Sequence, residues 1–249
     1  MKALVTGASS GIGRDIAREL AGRGIDLVLA ARRQDRLEEL AEELSVNTTI
    51  VPCDLSREED CYALFERCRG LGVNILVNNA GFGQFGTFAE NDMQRELDML
   101  NVNVRALQIL MKLFLREFKA KNDGYILNVA SSAAFQPGPM LAVYYATKAY
   151  VLRLSEAVYE ELRREKSKVH ISVLCPGPVR TEFDASAEVR FSVKGLSSST
   201  VARYAVQKMF RARLVIVPGF LMKCSHFFGR FLPDKLLLRA AYHMQKRKM

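Results

Sequence analysis

Thr6-Gly7-Ala8-Ser9-Ser10-Gly11-Ile12-Gly13 is the stretch on which the reading of this chain turns. It follows a short apolar run, Ala3-Leu4-Val5, and leads into helical spacing through Ile12, Ala17 and Leu20 that stops at Gly22–Gly24. Strand, glycine turn and helix open a βαβ unit. Glycines take positive φ and let another group approach the backbone closely. The new helix aims free N–H groups, and the positive end of its dipole, at whatever lies over the turn. A pyrophosphate fits such a site. The spacing Gly7, Gly11, Gly13 departs from G-x-G-x-x-G, so a tight turn that needs glycines for its own backbone stands as the alternative.

The pattern repeats along the chain. Asp26 to Ala31 reads as a second strand, followed by Arg32, Arg33 and an amphipathic helix with Leu37, Leu40, Ala41 and Leu44 on one face. Thr48 to Val51 is a third strand, ending at Cys53-Asp54-Leu55; Ser56 and Glu59 read as a capping box for the next helix. Asn74 to Asn78 is a fourth strand, and residues 91–121 form one or two long helices. Tyr125 to Ala130 is a strand ending at Ser131-Ser132, before a proline loop that cannot be helical. A helix over Leu141–Lys166, a strand over Val169–Leu174, a helix capped by Thr200 and a strand over Leu214–Val217 follow. Such alternation predicts an α/β fold: one Rossmann-like, doubly wound parallel sheet with helices on both faces. The expected organisation is a single domain over 1–249, with a core at 1–181, a substrate loop at 182–199 and a helical tail at 220–249.

In open α/β sheets ligands sit beyond the carboxyl ends of the strands. Gly7–Gly13, Arg32-Arg33, Asp54, Asn78–Gly81, Ser131 and Pro176–Thr181 all fall at such ends, which predicts one cleft along one sheet edge.

Composition narrows the function classes. Hydrophobic residues make up 49% of the chain, enough for a sizeable core, and no apolar run is long enough to span a bilayer. The first strand begins almost at Met1, leaving no room for a signal peptide, so a cytoplasmic protein is expected. Five cysteines without CxxC or zinc spacing read as reduced structural thiols, and no metal site is expected. The net charge of +9 comes without a nucleic-acid-binding motif, so no nucleic-acid partner is expected. Much of it sits in the tail, where Lys223, Arg230, Lys235, Arg239, Lys246, Arg247 and Lys248 face Asp234 alone. Phe227, Phe228, Phe231, Leu232 and Leu236–Leu238 make that tail too apolar to be wholly solvated. It is expected to pack on the pocket or a partner subunit, with peripheral contact to an anionic membrane as the alternative.

Tyr144-Tyr145-Ala146-Thr147-Lys148 carries the chemistry. Tyr144 and Lys148 are one helical turn apart on one face. A neighbouring ammonium favours phenolate, and a tuned phenol serves as general acid or base near neutral pH. Tyr145, three residues from Lys148, competes for the same role.

Taken together, Thr6–Gly13, Asn78-Asn79-Ala80-Gly81, Ser131, Tyr144-x-x-x-Lys148 and Pro176-Gly177 resemble the short-chain dehydrogenase/reductase family in order and spacing over residues 1–181. The resemblance implies hydride exchange between NAD(P) and a carbonyl or alcohol. It makes Tyr144 the proton donor in reduction and the base in oxidation. Lys148 would lower the Tyr144 pKa and hold the nicotinamide ribose. Ser131, thirteen residues before Tyr144, would bind the substrate oxygen, with Ser132 next to it. Asn103, or less well Asn101, would join the lysine through water. Gly7, Ser9, Ser10, Gly11, Ile12 and Gly13 correspond to the phosphate loop, Asp54 and Leu55 to the adenine contact, and Asn78, Asn79, Ala80 and Gly81 to the wall beside the adenine ribose. Pro176, Gly177 and Val179 belong to the same cofactor site, and Thr181 would reach the nicotinamide amide.

The cofactor preference has its own physical argument. NAD sites usually place a carboxylate at the end of the second strand. Here Ala31 is followed by Arg32 and Arg33, and guanidinium groups bind a 2′-phosphate bidentately. NADP is therefore expected, with Arg32 as the main contact and Arg33 and Arg14 as helpers. Phe183, Phe191 and Val193 could close over an apolar substrate, with Phe82–Gly86 and Pro137–Leu141 opposite. A homodimer or homotetramer through the two long central helices is expected from the resemblance. Two competing readings are a non-catalytic NADP-binding sensor on the same fold and an acyl-carrier thioester reductase.

Overall fold

Ala3, Leu4 and Val5 are all completely buried, so the strand they belong to is covered on both faces. In the computed structural model, which describes residues 1–182, 195–229 and 233–246, this strand, β1 (Lys2–Thr6), lies in the middle of a sheet. It pairs in parallel with β2 (Asp26–Ala31) on one side and β4 (Ile75–Asn78) on the other. With β3 (Thr48–Pro52), β5 (Gly124–Val129), β6 (Val169–Leu174) and β9 (Val215–Ile216), the order is β3-β2-β1-β4-β5-β6-β9, and every pairing is parallel. Strand order reverses between β1 and β4, which opens a crevice at their carboxyl ends.

Alternate side chains divide the core in two. Leu4, Val28, Leu76 and Ile126 face α3 (Glu58–Cys68), α5 (Leu107–Lys121) and α6 (Ala142–Arg164). Within that layer Phe114 meets Phe65 edge-on at 5.1 Å. Val5, Leu29, Val77 and Leu127 face α1 (Gly11–Ala21), α2 (Gln34–Glu43) and α7 (Ser198–Met209). Cys61 and Cys68 are buried on the inner face of α3, and burial pushes both thiols up to about 11, as a packing role requires. Two short strands, β7 (Val179–Arg180) and β8 (Leu196–Ser197), pair beside the sheet, and α8 (Phe220–Gly229) and α9 (Asp234–Lys246) follow β9. No described helix is long and apolar enough to cross a membrane.

Two local expectations give way. Ser56 does not cap α3: the helix starts at Glu58, while Asp60 accepts from the Asp54 N–H at 2.8 Å and Asp54 accepts from Ser56 at 3.0 Å. A carboxylate is the stronger acceptor for an N–H, and here two of them organise the turn. Thr200 is not the cap of α7 either; Ser197 is, accepting from the Thr200 N–H at 3.2 Å. The long central segment, read as one or two helices, forms α4 (Met93–Leu100) and α5 joined by a π-helical turn (Asn101–Ala106). The expected substrate-loop contacts Phe183, Phe191 and Val193 lie outside the described residues, as do Phe231 and Leu232.

A polar tie crosses the sheet beneath the crevice. Asn128, fully buried on β5, donates to the Ser155 hydroxyl at 2.9 Å and accepts from the Asn78 amide at 3.0 Å. Replacing it strands the Asn78 donor in the core, a loss worth about 1–3 kcal/mol. Denaturant unfolding of Asn128→Leu should show a stability loss in that range; an unchanged midpoint would mean that the tie carries no net energy.

Candidate functional site

Gly7 and Gly11 have φ of +64° and +56°, so the loop between β1 and α1 needs glycine for its backbone alone. Positions 7 and 13 also have no room for a side chain. A Cβ on Gly7 would sit 2.9 Å from both the Ala80 Cα and the Asn79 amide nitrogen. One on Gly13 would strike the Asn79 amide and the Gly7 carbonyl. The reason is a tie between strand ends. Thr6 Oγ1 accepts from the N–H groups of Asn79 (3.0 Å) and Ala80 (3.1 Å). The Asn79 side chain donates back to the carbonyls of Thr6 (3.0 Å) and Gly7 (3.2 Å). Ser10 precedes α1 in extended backbone and makes no capping bond, and the first turn of α1 holds no acidic residue. The helix N-terminus therefore keeps its donors and partial positive charge for an external anion.

One cavity of about 750 Å³ runs along this edge. Gly7, Ser9, Ser10, Gly11 and Ile12 line it, as do Arg32, Arg33, Asp54, Leu55, Asn79, Ala80 and Gly81. Ser131, Tyr144, Lys148, Pro176, Gly177, Val179 and Thr181 complete the expected set. Three expected residues stand behind the wall instead: Asn78, expected beside the adenine ribose, is buried and donates to Asn128 at 3.0 Å. Gly13 is buried against Asn79 and serves helix packing. Asn103, 1% exposed, spends its amide on protein: its oxygen accepts from the Phe82 N–H at 3.1 Å, and its nitrogen donates to the Phe82 carbonyl (2.9 Å) and Thr147 Oγ1 (3.1 Å). It sits in the π-helical turn, whose wider winding accommodates it, and it fixes the loop after β4.

Tyr144 and Tyr145 divide their tasks. The Tyr144 phenol hydrogen-bonds Ser131. The Tyr145 hydroxyl accepts from Gln245 of α9 at 2.6 Å, and its ring lies over Gly138. Ser131, not Ser132, is thus the serine joined to the tyrosine, and its Oγ is held by the Ala133 N–H at 3.1 Å. Lys148 is 5% exposed, and its Nζ donates to the Val129 carbonyl at 2.9 Å, 5.8 Å from the centre of the Tyr144 ring. The direction of the Tyr144 shift is set by burial. Burial pushes the phenol above its ordinary value, partly offset by the Ser131 bond. The same burial pushes Lys148 down to about 8. Desolvation penalises both charged forms here, and the ammonium is turned toward a carbonyl.

The remaining residues are placed as follows. Arg33 donates to Glu182 (2.8 Å) and Ser9 (3.3 Å), while Arg32 makes no hydrogen bond or ion pair to a described residue. Arg14 lies 3.5 Å from Asp15 and is not among the cavity residues. Thr181 packs against the Gly11 position of the glycine loop. Parts of the tail border the site: Met222 covers Gly177, Leu237 lines the cavity, and Ala241 and Gln245 are buried. Phe220, Phe227, Leu236 and Leu238 nevertheless remain exposed. Among the described side chains of α9, Ala241 and Gln245 are buried and Leu237 is partly buried. The part of Thr6, Gln245 and Glu182 in the site was missed. Only the tie of Thr6 to the residues after β4 had a sequence signal, its place at the end of β1.

Thr6→Val keeps the shape of the side chain but removes the acceptor for two N–H groups. It should lower unfolding stability by about 1–3 kcal/mol, read by denaturant titration. An unaltered stability would mean that the tie between β1 and β4 does not hold the loop.

The geometry has counterparts among known proteins. The family model described as short chain dehydrogenase matches residues 1–190. Human "Dehydrogenase/reductase SDR family member 11" is 38% identical over 192 residues, covering 73% of this chain and 74% of that protein. A short-chain dehydrogenase from Sphingobium yanoikuyae in complex with NADPH superposes with a TM-score of 0.83 at 31% identity, covering 92% and 93% of the two chains. A short-chain dehydrogenase/reductase from Burkholderia phymatum in complex with NAD gives 0.83 at 26% identity, covering 90% and 91%. On the glycine loop, the tied strand ends and these matches, the chain belongs to the short-chain dehydrogenase/reductase family of oxidoreductases.

Proposed function

We propose that this chain is an NADP(H)-dependent oxidoreductase that interconverts a carbonyl and an alcohol on an apolar substrate. The observation that carries the reading is the placing of Ser131, Tyr144 and Lys148 in one cavity with the glycine loop. A dinucleotide fits the residues present: Gly7 and Gly11 have positive φ, the loop lines the cavity, and the first turn of α1 carries no acidic residue of its own. Gly7, Ser9–Ile12 and Asn79–Gly81 would hold it, with Arg32 and Arg33 at its 2′-phosphate. When bound, the reduced nicotinamide supplies the hydride. Tyr144 gives its proton to the substrate oxygen, and Ser131 hydrogen-bonds that oxygen. Lys148 steadies the charge left on the phenol once Nζ leaves the Val129 carbonyl. A phenol kept protonated by burial suits the reductive direction at neutral pH.

Phe82, Phe135, Leu141, Met222 and Leu237 give the cavity an apolar side, which supports a bulky, weakly polar carbonyl compound. An exposed apolar stripe on α4, Met93, Leu97 and Leu100, with Tyr150 of α6, supports assembly into a homodimer or homotetramer through these helices.

NADPH consumption against ketones, aldehydes, steroids, quinones and acyl thioesters tests the reading, with Tyr144→Phe run in parallel. Turnover of at least one carbonyl compound is expected, falling by about 10²–10⁴-fold in Tyr144→Phe. NADPH binding without turnover on the whole panel, or undiminished turnover in the variant, would contradict it.

A further inference from the structure

Arg33 is one of two guanidinium groups on which the NADP preference leans, and in this structure it is already engaged. Its Nη2 donates to the carboxylate of Glu182 at 2.8 Å and to Ser9 Oγ at 3.3 Å. The Arg33 guanidinium, and to a smaller degree Ser10, hold the Glu182 carboxyl below its ordinary pKa. The partner comes from 149 positions along the chain, although Asp35 and Glu38 stand on the helix that Arg33 begins. Glu38 is instead paired with Gln34 at 2.8 Å. Ser9, Ser10, Arg33 and Glu182 all border the one cavity.

A guanidinium flanked by two serine hydroxyls is a donor set for a compact anion, and a phosphate monoester and a carboxylate satisfy it in the same way. They cannot share it, because both are negative. We propose that Glu182 is a cofactor-specificity residue: its carboxylate occupies Arg33 Nη2 beside Ser9 and Ser10, and the 2′-phosphate of NADPH must displace it to bind. The proposal rests on the NADP reading above. NADH has no 2′-phosphate and has no need to displace the carboxylate. Glu182 therefore narrows the preference for NADPH that the two arginines create. Arg33 and Glu182 are 44% and 59% exposed at the side chain, so the pair is solvent-screened and its effect is modest.

The test is equilibrium binding to the full chain, followed by protein fluorescence or calorimetry, with NADPH, NADH and 2′,5′-ADP as probes. Glu182→Gln keeps the size and removes the charge. It should tighten NADPH and 2′,5′-ADP roughly three- to fivefold and leave NADH within about twofold. Unchanged or weaker NADPH binding would overturn the proposal. So would selective loss of NADH binding, which would make Glu182 an acceptor for ribose hydroxyls. Arg32→Asp and Arg33→Ala separate the two layers of the argument. If they weaken NADPH while Glu182→Gln does nothing, the competitor falls and the NADP reading stands. If they leave NADPH binding intact, the NADP reading falls and takes the proposal with it.

Discussion

The Thr6 hydroxyl ties the end of β1 to the residues after β4 at the point where strand order reverses. That single constraint explains why the glycine loop has its sequence. Asn79, held against the loop carbonyls, fills the space that side chains at positions 7 and 13 would occupy. The loop stays bare, the helix N-terminus stays open, and an anion can approach the backbone. Two layers of core, one on each sheet face, fix the strands that bring the other site residues to the same edge.

Burial governs the chemistry at the other end of the cavity. Tyr144 and Lys148 lie a helical turn apart, as a tuned pair requires, yet desolvation raises the phenol and lowers the ammonium. Opposite charges stabilise each other only when both exist and are close. With Nζ bonded to the Val129 carbonyl, the lysine does not serve the phenol. The pair is a proton donor beside an ammonium bonded elsewhere, and the change to a tuned pair requires Nζ to move.

The fold was legible because the apolar runs, glycine turns and helical faces all agree on one alternating pattern, and the comparisons bear out the family. Local detail was lost where a better acceptor intervened. Ser56 reads as a cap, but nothing in its spacing says that Asp60 reaches back to Asp54. Ser131 and Tyr144 could be chosen by position, and the structure adds that Tyr145 is claimed by Gln245, 100 positions away. Asn103 read as a solvent-linked partner of the lysine and lies behind the cavity, bonded to Phe82 and Thr147. Glu182 on Arg33 is the same kind of long-range pairing, invisible to a reading that looks for partners along one helix.

The most direct measurement is the ionisation of Tyr144 itself in cofactor-free protein. It would be followed by the ultraviolet absorbance of phenolate during a pH titration, with Tyr144→Phe subtracted. If burial sets the state of this phenol, no phenolate from Tyr144 should form below about pH 10, the ordinary tyrosine value. An ionisation at pH 7–8 that vanishes in Tyr144→Phe would contradict the account and show that Lys148 already tunes the phenol without the cofactor.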